Sequence, residues 1–240
     1  MASSSKTLTV AFPIPTTSRG QNWRTVTGSN LFRYLYQSFL KTFSPEFKYR
    51  FYLGIDPDDP FYSDKERQEE IKRYFTAIPG VQLDFVVMEN ITKGHLTKMW
   101  NLLCQRAYDD GCDYFYFCGD DIEFTHKGWV NKAVELLSSH DNLGFTGPTN
   151  LNGNTFIITQ TFVARKHFDI FGYAYPEEIW NWYCDDWVNL VYSPDYIYRM
   201  DKYQCYNQGG AERYAIYDLK DLCHTLVAED KKKIEAYLHK

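Results

Sequence analysis

The chain has 240 residues, and 31 Asp and Glu against 26 Lys and Arg give a formal net charge of -5 at pH 7. That balance argues against a nucleic-acid partner, whose binding surfaces are basic. The length favours one globular domain and leaves room for two small ones, and 44% hydrophobic residues suffice for a sizeable core. No apolar stretch is long enough to span a membrane, and the N-terminal MASSSKTLTVAF lacks the apolar segment of a secretory signal. Six cysteines, at 104, 112, 118, 184, 205 and 223, form no C-x-x-C pair. This speaks against a zinc cluster or thioredoxin-type motif and for reduced, buried thiols. A cytosolic protein is the expectation.

In chain order, TLTVAF (7 to 12) predicts a first strand, stopped by Pro13 and Pro15. A polar loop with Arg19, Asn22, Trp23 and Arg24 follows. Residues 30 to 43 predict an amphipathic helix with Asn30 as N-cap. YRFYLGI (49 to 55) predicts a second strand running into the acidic loop DPDDPF (56 to 61). Ser63 and Glu66 have capping-box spacing for a charged helix to about Ile78, ended by Pro79 and Gly80. A strand over 81 to 88 and a helix over 96 to 109, closed by Gly111, come next. Beyond the strand 113 to 118, a helix spans 127 to 139 with Val130, Val134 and Leu137 on one face. Strands are predicted at 143 to 147 and 154 to 164, a helix at 185 to 192, and a solvated C-terminal helix at EDKKKIEAYL. Strand and helix alternate through the first half, which argues for a mostly parallel sheet covered by helices. The second half is irregular and rich in aromatic loops. This suits a nucleotide-binding half (about 7 to 118) joined to a half (119 to 240) for metal, catalysis and a second substrate.

The most informative segment is YFYFCGDDIEF, 114 to 124. A buried strand ends in Gly119, and two carboxylates, Asp120 and Asp121, follow. In open α/β sheets ligands bind past the carboxyl ends of strands, and two acids there call for neutralisation by Mg²⁺ or Mn²⁺. A plain surface turn also accommodates an Asp-Asp pair. A second pair, Asp185 and Asp186, stands in NWYCDDWVNL, flanked by Trp182, Tyr183 and Trp187. Ordinary helix capping explains one of these acids; the aromatics are core or a stacking platform for a sugar, with Trp180, Trp182 and Trp187 as candidates. Asp56, with Asp58 and Asp59 behind it, ends the second strand, where a carboxylate can hold a ribose hydroxyl or base edge; a Pro-Asp turn is the alternative. Arg19, Arg24, Lys93 and Lys98 are candidates to meet a diphosphate, and each alone is also an ordinary surface charge. His224, in LKDLCHTLV, can complete a metal site or be structural. No G-x-G-x-x-G, P-loop or G-x-S-x-G motif is present.

Taken together, VAFPIP, an acid after the second strand, CGDDI and CDDW resemble, in order, the strand-loop start, nucleoside acid, DxD position and xED position of GT-A glycosyltransferases. FDIFGY (168 to 173) matches that family's G-loop. The resemblance covers roughly residues 7 to 192 and is nearest to small single-domain glycosyltransferases of large algal and amoebal viruses. Gly119 departs from the pattern, standing where many members carry the first Asp of DxD, and Asp185 replaces the Glu of xED.

The resemblance implies a single GT-A-like domain over 1 to 240 with an acceptor-binding C-terminal half, placed in the cytoplasm (the host's, for a virus-encoded chain). It implies transfer of a hexose from a UDP- or GDP-sugar to a hydroxyl of a saccharide or glycoprotein acceptor, with inversion. Pro13, Arg19, Asp56, Lys98 and Asp120 would contact the nucleotide sugar, Asp121 and His224 would hold Mn²⁺ or Mg²⁺, and Asp186 would be the catalytic base. The rival readings are a metal-dependent nucleotidyltransferase and a non-catalytic carbohydrate-binding protein.

Overall fold

A computed structural model describes residues 6–209, 215 and 217–239. They build one eight-stranded sheet in the order β3-β2-β1-β4-β7-β6-β8-β5. The strands are β1 (Thr9–Thr16), β2 (Lys48–Ile55), β3 (Val81–Val87), β4 (Tyr114–Phe117), β5 (Ile122–Phe124), β6 (Phe145–Asn150), β7 (Thr161–Ala164) and β8 (Ile197–Asn207). β3, β2, β1 and β4 run parallel; β7 lies antiparallel between β4 and β6; β6 and β8 are parallel, and β5 closes the edge antiparallel to β8. The expected α/β domain with a mostly parallel sheet flanked by helices is therefore present.

The helices are α1 (π-helical over Leu31–Tyr36, α-helical over Gln37–Thr42), α2 (Lys65–Thr76), α3 (Leu96–Asp109), α4 (Trp129–Ser138), α5 (Lys166–Phe171), α6 (Cys184–Tyr192) and α7 (Lys220–Leu238). Alternating strand side chains supply both faces. Val10, Phe12, Phe51 and Tyr116 pack beneath α1, α2 and α4; Ala11, Tyr52, Phe115 and Val163 pack with α3, α5, α6 and α7 on the other side. The chain runs outward from β1 to β3, and α3 carries it back to β4 on the far side of β1. This reversal opens a crevice at the carboxyl ends of β1 and β4.

Several expectations change. β1 does not stop at its prolines but continues to Thr16, with Pro13 opposite Tyr52 and Pro15 opposite Gly54. The Thr9 carbonyl accepts from the Asp113 N–H, so Thr9 faces β4, and Pro13 and Pro15 share its parity. Pairing with β4 covers Val10 and Ala11 only. The missing N–H groups thus point where no ladder exists, and a central strand tolerates both prolines. The strand expected over 154 to 164 is confined to Thr161–Ala164. Upstream, the Asn189 amide takes the place of a partner strand, accepting from Ile158 N–H at 3.0 Å and donating to its carbonyl at 2.8 Å. Asn30 makes no side-chain cap; Ser29 Oγ accepts from the Phe32 N–H instead, at 3.3 Å. Asp64 rather than Ser63 caps α2, accepting from Arg67 N–H at 3.0 Å. The G-loop match falls largely on helix α5, and β5 and β8 are strands the sequence reading passes over. All six cysteines are free and buried. Among the described residues no helix is long and apolar enough to cross a membrane.

Candidate active site

A cavity of about 580 Å³ occupies the crevice, lined by the carboxyl end of β1, the loop after β4, the 150–160 loop and the first turn of α6. Asp56, Asp121, Asp185 and Asp186, which come from three sequence segments, all border it.

At one end, Asp56 follows β2 directly and is buried. Its Oδ2 lies 3.4 Å from the Arg19 guanidinium. Burial raises its pKa, against the lowering pull of Arg19 and Lys93. Lys93 is itself anchored on Asp58 at 2.6 Å. Asp59 does other work. It accepts from Ser18 N–H (2.7 Å), Ser18 Oγ (2.8 Å), Phe61 N–H (3.0 Å) and Tyr62 N–H (2.8 Å). It thereby ties the loop carrying Arg19 to the loop after β2, which sets Arg19 beside Asp56.

At the centre, the two acids of CGDDI part company. Asp120 is fully buried and its Oδ2 accepts from Tyr62 OH at 3.2 Å. Asp121 lines the cavity. Its carboxylate sits between two glycines: a Cβ on Gly119 would lie 2.6 Å from Oδ1, and one on Gly209 2.2 Å from Oδ2. A side chain at 119 would therefore require the Asp121 carboxylate to shift. A carboxylate oxygen is a ligand type that suits a hard cation. Mg²⁺-like ions bind one or two carboxylates and complete their shell with water and substrate phosphate. Among the described residues no group of three or more His, Cys, Asp and Glu is gathered around a metal-sized point.

Opposite stand Asp185 and Asp186, in the first turn of α6, where the helix dipole favours acids. Tyr183, just before, has φ 73, a conformation costly for a bulky residue and common where function demands it. Its OH donates to Asp218 at 2.8 Å. Asn181 accepts from Trp182 N–H at 2.7 Å and donates to the carbonyls of Gly94 and Ala215. Asp185 is half-buried with its open side on the cavity, and the dense packing around it pushes its carboxyl up to about 7, the Asp186 charge adding to the rise.

Other expected residues lie elsewhere. Pro13 is buried within β1 and outside the lining, whereas Pro15, Thr16 and Thr17 form it. Lys98 pairs with Glu177 at 3.5 Å beside a separate open pocket. His224 is exposed on α7 and outside the cavity lining. Of the aromatics, Trp182 borders the cavity and is 46% exposed. Trp180 stacks on His95 with ring centroids 4.5 Å apart. Trp187 is core, its Nε1–H donating to the buried Asp230 at 3.0 Å, so it cannot stack on a ligand. Trp100, Asn150, Thr159 and Gln160 also line the site; they lie in neutral stretches where no local pattern marks them.

A scan against protein-family models finds no match, and no curated protein matches the chain. Solved structures do share its fold. TarS of S. aureus, residues 1–349 in complex with UDP-GlcNAc, aligns with a TM-score of 0.61 at 15% identity over 93% of this chain and 66% of that one. The mannosyltransferase PcManGT of Pyrobaculum calidifontis, in complex with GDP-Man and Mn²⁺, aligns with a TM-score of 0.58 at 11% identity over 97% and 74%. A longer TarS structure is covered over 39% of its length. The chain thus spans about two thirds of the shorter TarS chain and well under half of the longer one. What these likenesses establish is the fold: the chain has the GT-A-type α/β architecture of those proteins.

Proposed function

We propose that the chain is a metal-dependent glycosyltransferase that moves a hexose from a UDP- or GDP-sugar to a hydroxyl of a saccharide-type acceptor, with inversion. The observation that carries this is the convergence of Asp56, Asp121 and the pair Asp185–Asp186 on one cavity at the carboxyl ends of the strands. Carboxylates gathered around one cavity repel one another, and a bound cation offsets that repulsion. The fold shared with a mannosyltransferase bound to GDP-Man and Mn²⁺ supports the same reading.

In this reading Asp56 holds the nucleoside and Arg19 sits at the same end to meet its charge. Asp121 holds a divalent cation, which when bound offsets the negative charge that develops on the departing diphosphate. Asp186 accepts the acceptor hydroxyl's proton as the oxygen attacks the anomeric carbon. Asp185 stands next to that base in the same first turn of α6. A base on the acceptor side makes the reaction a single displacement. Trp182, exposed at the mouth, offers a flat face for the acceptor.

The test is a thermal-shift screen of nucleoside diphosphates with Mn²⁺, followed by calorimetry on Asp121→Ala. UDP or GDP should stabilise the native chain, and the substitution should abolish the Mn²⁺-dependent part of binding. A flat screen would favour a carbohydrate-binding protein; unchanged affinity in Asp121→Ala would remove that residue from the metal site.

A further inference from the structure

Three polar atoms of side chains that line the cavity are buried and have no hydrogen-bond partner among the described residues: Thr16 Oγ1, at the end of β1 one strand from Asp56, and Trp100 Nε1 and Thr159 Oγ1. The indole N–H only donates, and a hydroxyl both donates and accepts. Such groups are costly to leave unpaired, and each one in a native fold calls for an explanation.

The surroundings of Trp100 and Thr159 are closely fixed. Asn101, next to Trp100 on α3, accepts from the N–H groups of Ala174 (2.9 Å) and Tyr175 (3.0 Å) and donates to the Tyr175 carbonyl (2.9 Å). The Trp100 ring meets Tyr175 edge-on, centroids 5.5 Å apart, and Tyr175 OH pairs with Thr161 Oγ1 at 3.1 Å. Asn189 binds both backbone groups of Ile158 and also donates to the Asp185 carbonyl at 2.8 Å, which sets Thr159 beside the first turn of α6. The scaffold therefore holds two side chains firmly while leaving their own polar atoms unmatched, the arrangement of a preformed ligand subsite.

Position says which part of a ligand this is. Thr159 lies just before β7, whose Thr161 pairs with Phe117 at the carboxyl end of β4. Asp56 lies past the same edge of β2, three strands along the sheet, or roughly 14 Å at the usual strand spacing. A ligand that reaches both must be extended, with its far end beside Asp185.

We propose that Trp100 and Thr159 are specificity-determining residues that hydrogen-bond a ring substituent of the transferred sugar. Trp100 donates to an oxygen of the sugar, and Thr159 pairs with a neighbouring hydroxyl or amide. The inference rests on the glycosyltransferase reading above and adds the group that reads the hexose.

Calorimetry of the whole chain with Mn²⁺ tests it, comparing UDP with UDP-GlcNAc and GDP with GDP-mannose. Thr159→Val should leave the nucleoside diphosphate unaffected and weaken the matching sugar nucleotide about tenfold, one hydrogen bond's worth. Thr159→Ser should restore it. Trp100→Phe should act in the same direction; if that variant fails to fold, the Thr159 pair carries the test. Because both changes remove an unpaired buried group, the ligand-free melting temperature should hold or rise. An unchanged affinity for the sugar nucleotide in Thr159→Val overturns the proposal. So does an equal loss for nucleotide and sugar nucleotide together with a lowered melting temperature, which marks a structural role. If the native chain binds none of the four probes, the glycosyltransferase reading falls and this inference with it. If it binds the diphosphates and Thr159→Val changes nothing, the sugar-reading role alone falls.

Discussion

Asp59 and Asp185 are both acids at the carboxyl edge of the sheet, and the fold treats them oppositely. Asp59 is buried, yet its backbone and side-chain donors outweigh the upward push of burial and leave its pKa lowered. Among the described residues no donor meets the Asp185 carboxyl to offset burial, and it rises to about 7. One acid is closed, with its oxygens used to join two loops; the other is open to a cavity. Acidity near a strand end is therefore not by itself a sign of function. The sign is a carboxylate that the scaffold positions and leaves available.

The largest expected effect lies on the open side. Asp186→Asn should lower transfer by about 10²–10⁴-fold, the usual contribution of a positioned base, while donor affinity by calorimetry stays near native. Transfer retained in full would remove Asp186 from the base role. On the closed side, Asp59→Ala should destabilise the fold by about 3 kcal/mol, since several buried donors lose a charged acceptor. A urea titration measures this, and a change confined to binding would show that Asp59 is open after all.

The smallest effect is in pH dependence, where the comparison can be sharpened. His167 is buried; with the proton on Nε2 it donates to the Ala174 carbonyl and accepts from Tyr192 OH, both at 3.0 Å. Burial pushes its pKa down to about 4. Between about 4 and the unfolded value near ~6.5 the unfolded chain binds a proton that the native chain does not, so His167 makes stability fall as pH falls. Asp185 acts the other way: from about 4 to about 7 the native chain holds a proton that the unfolded one lacks, so stability falls as pH rises. The two slopes oppose each other, each at most about 1.4 kcal/mol per pH unit. Asp185→Asn should leave a stability that climbs from pH 4 to 6.5, and His167→Gln one that declines, both read from melting temperatures across that range. Identical pH profiles in the two variants would contradict both assignments.

Much of this site is legible in the chain. Asp56, Asp121, Asp185 and Asp186 each follow a strand end or open a helix, and local pattern finds such places. What local pattern misses is pairing. β8 is invisible because YIYRMDKYQCYN alternates poorly, and it is a strand because β6 and β5 flank it. Thr159 and Trp100 carry no motif; their unmatched atoms exist only once α3, α6 and the 150–160 loop have met around one cavity.

The sequence by itself determined the alternation of strand and helix, the parallel first half and the acidic segments, because these rest on periodicity and on neighbours a few residues apart. The tertiary structure decided which member of each close pair faces the cavity. Asp121 lines the cavity while Asp120 meets Tyr62. Trp182 is exposed while Trp187 is core. Pro13 and Pro15 stand in a central strand because their missing donors face an unpaired stretch. Each outcome depends on what lies across the sheet or over the helix, and no local window of residues contains that information.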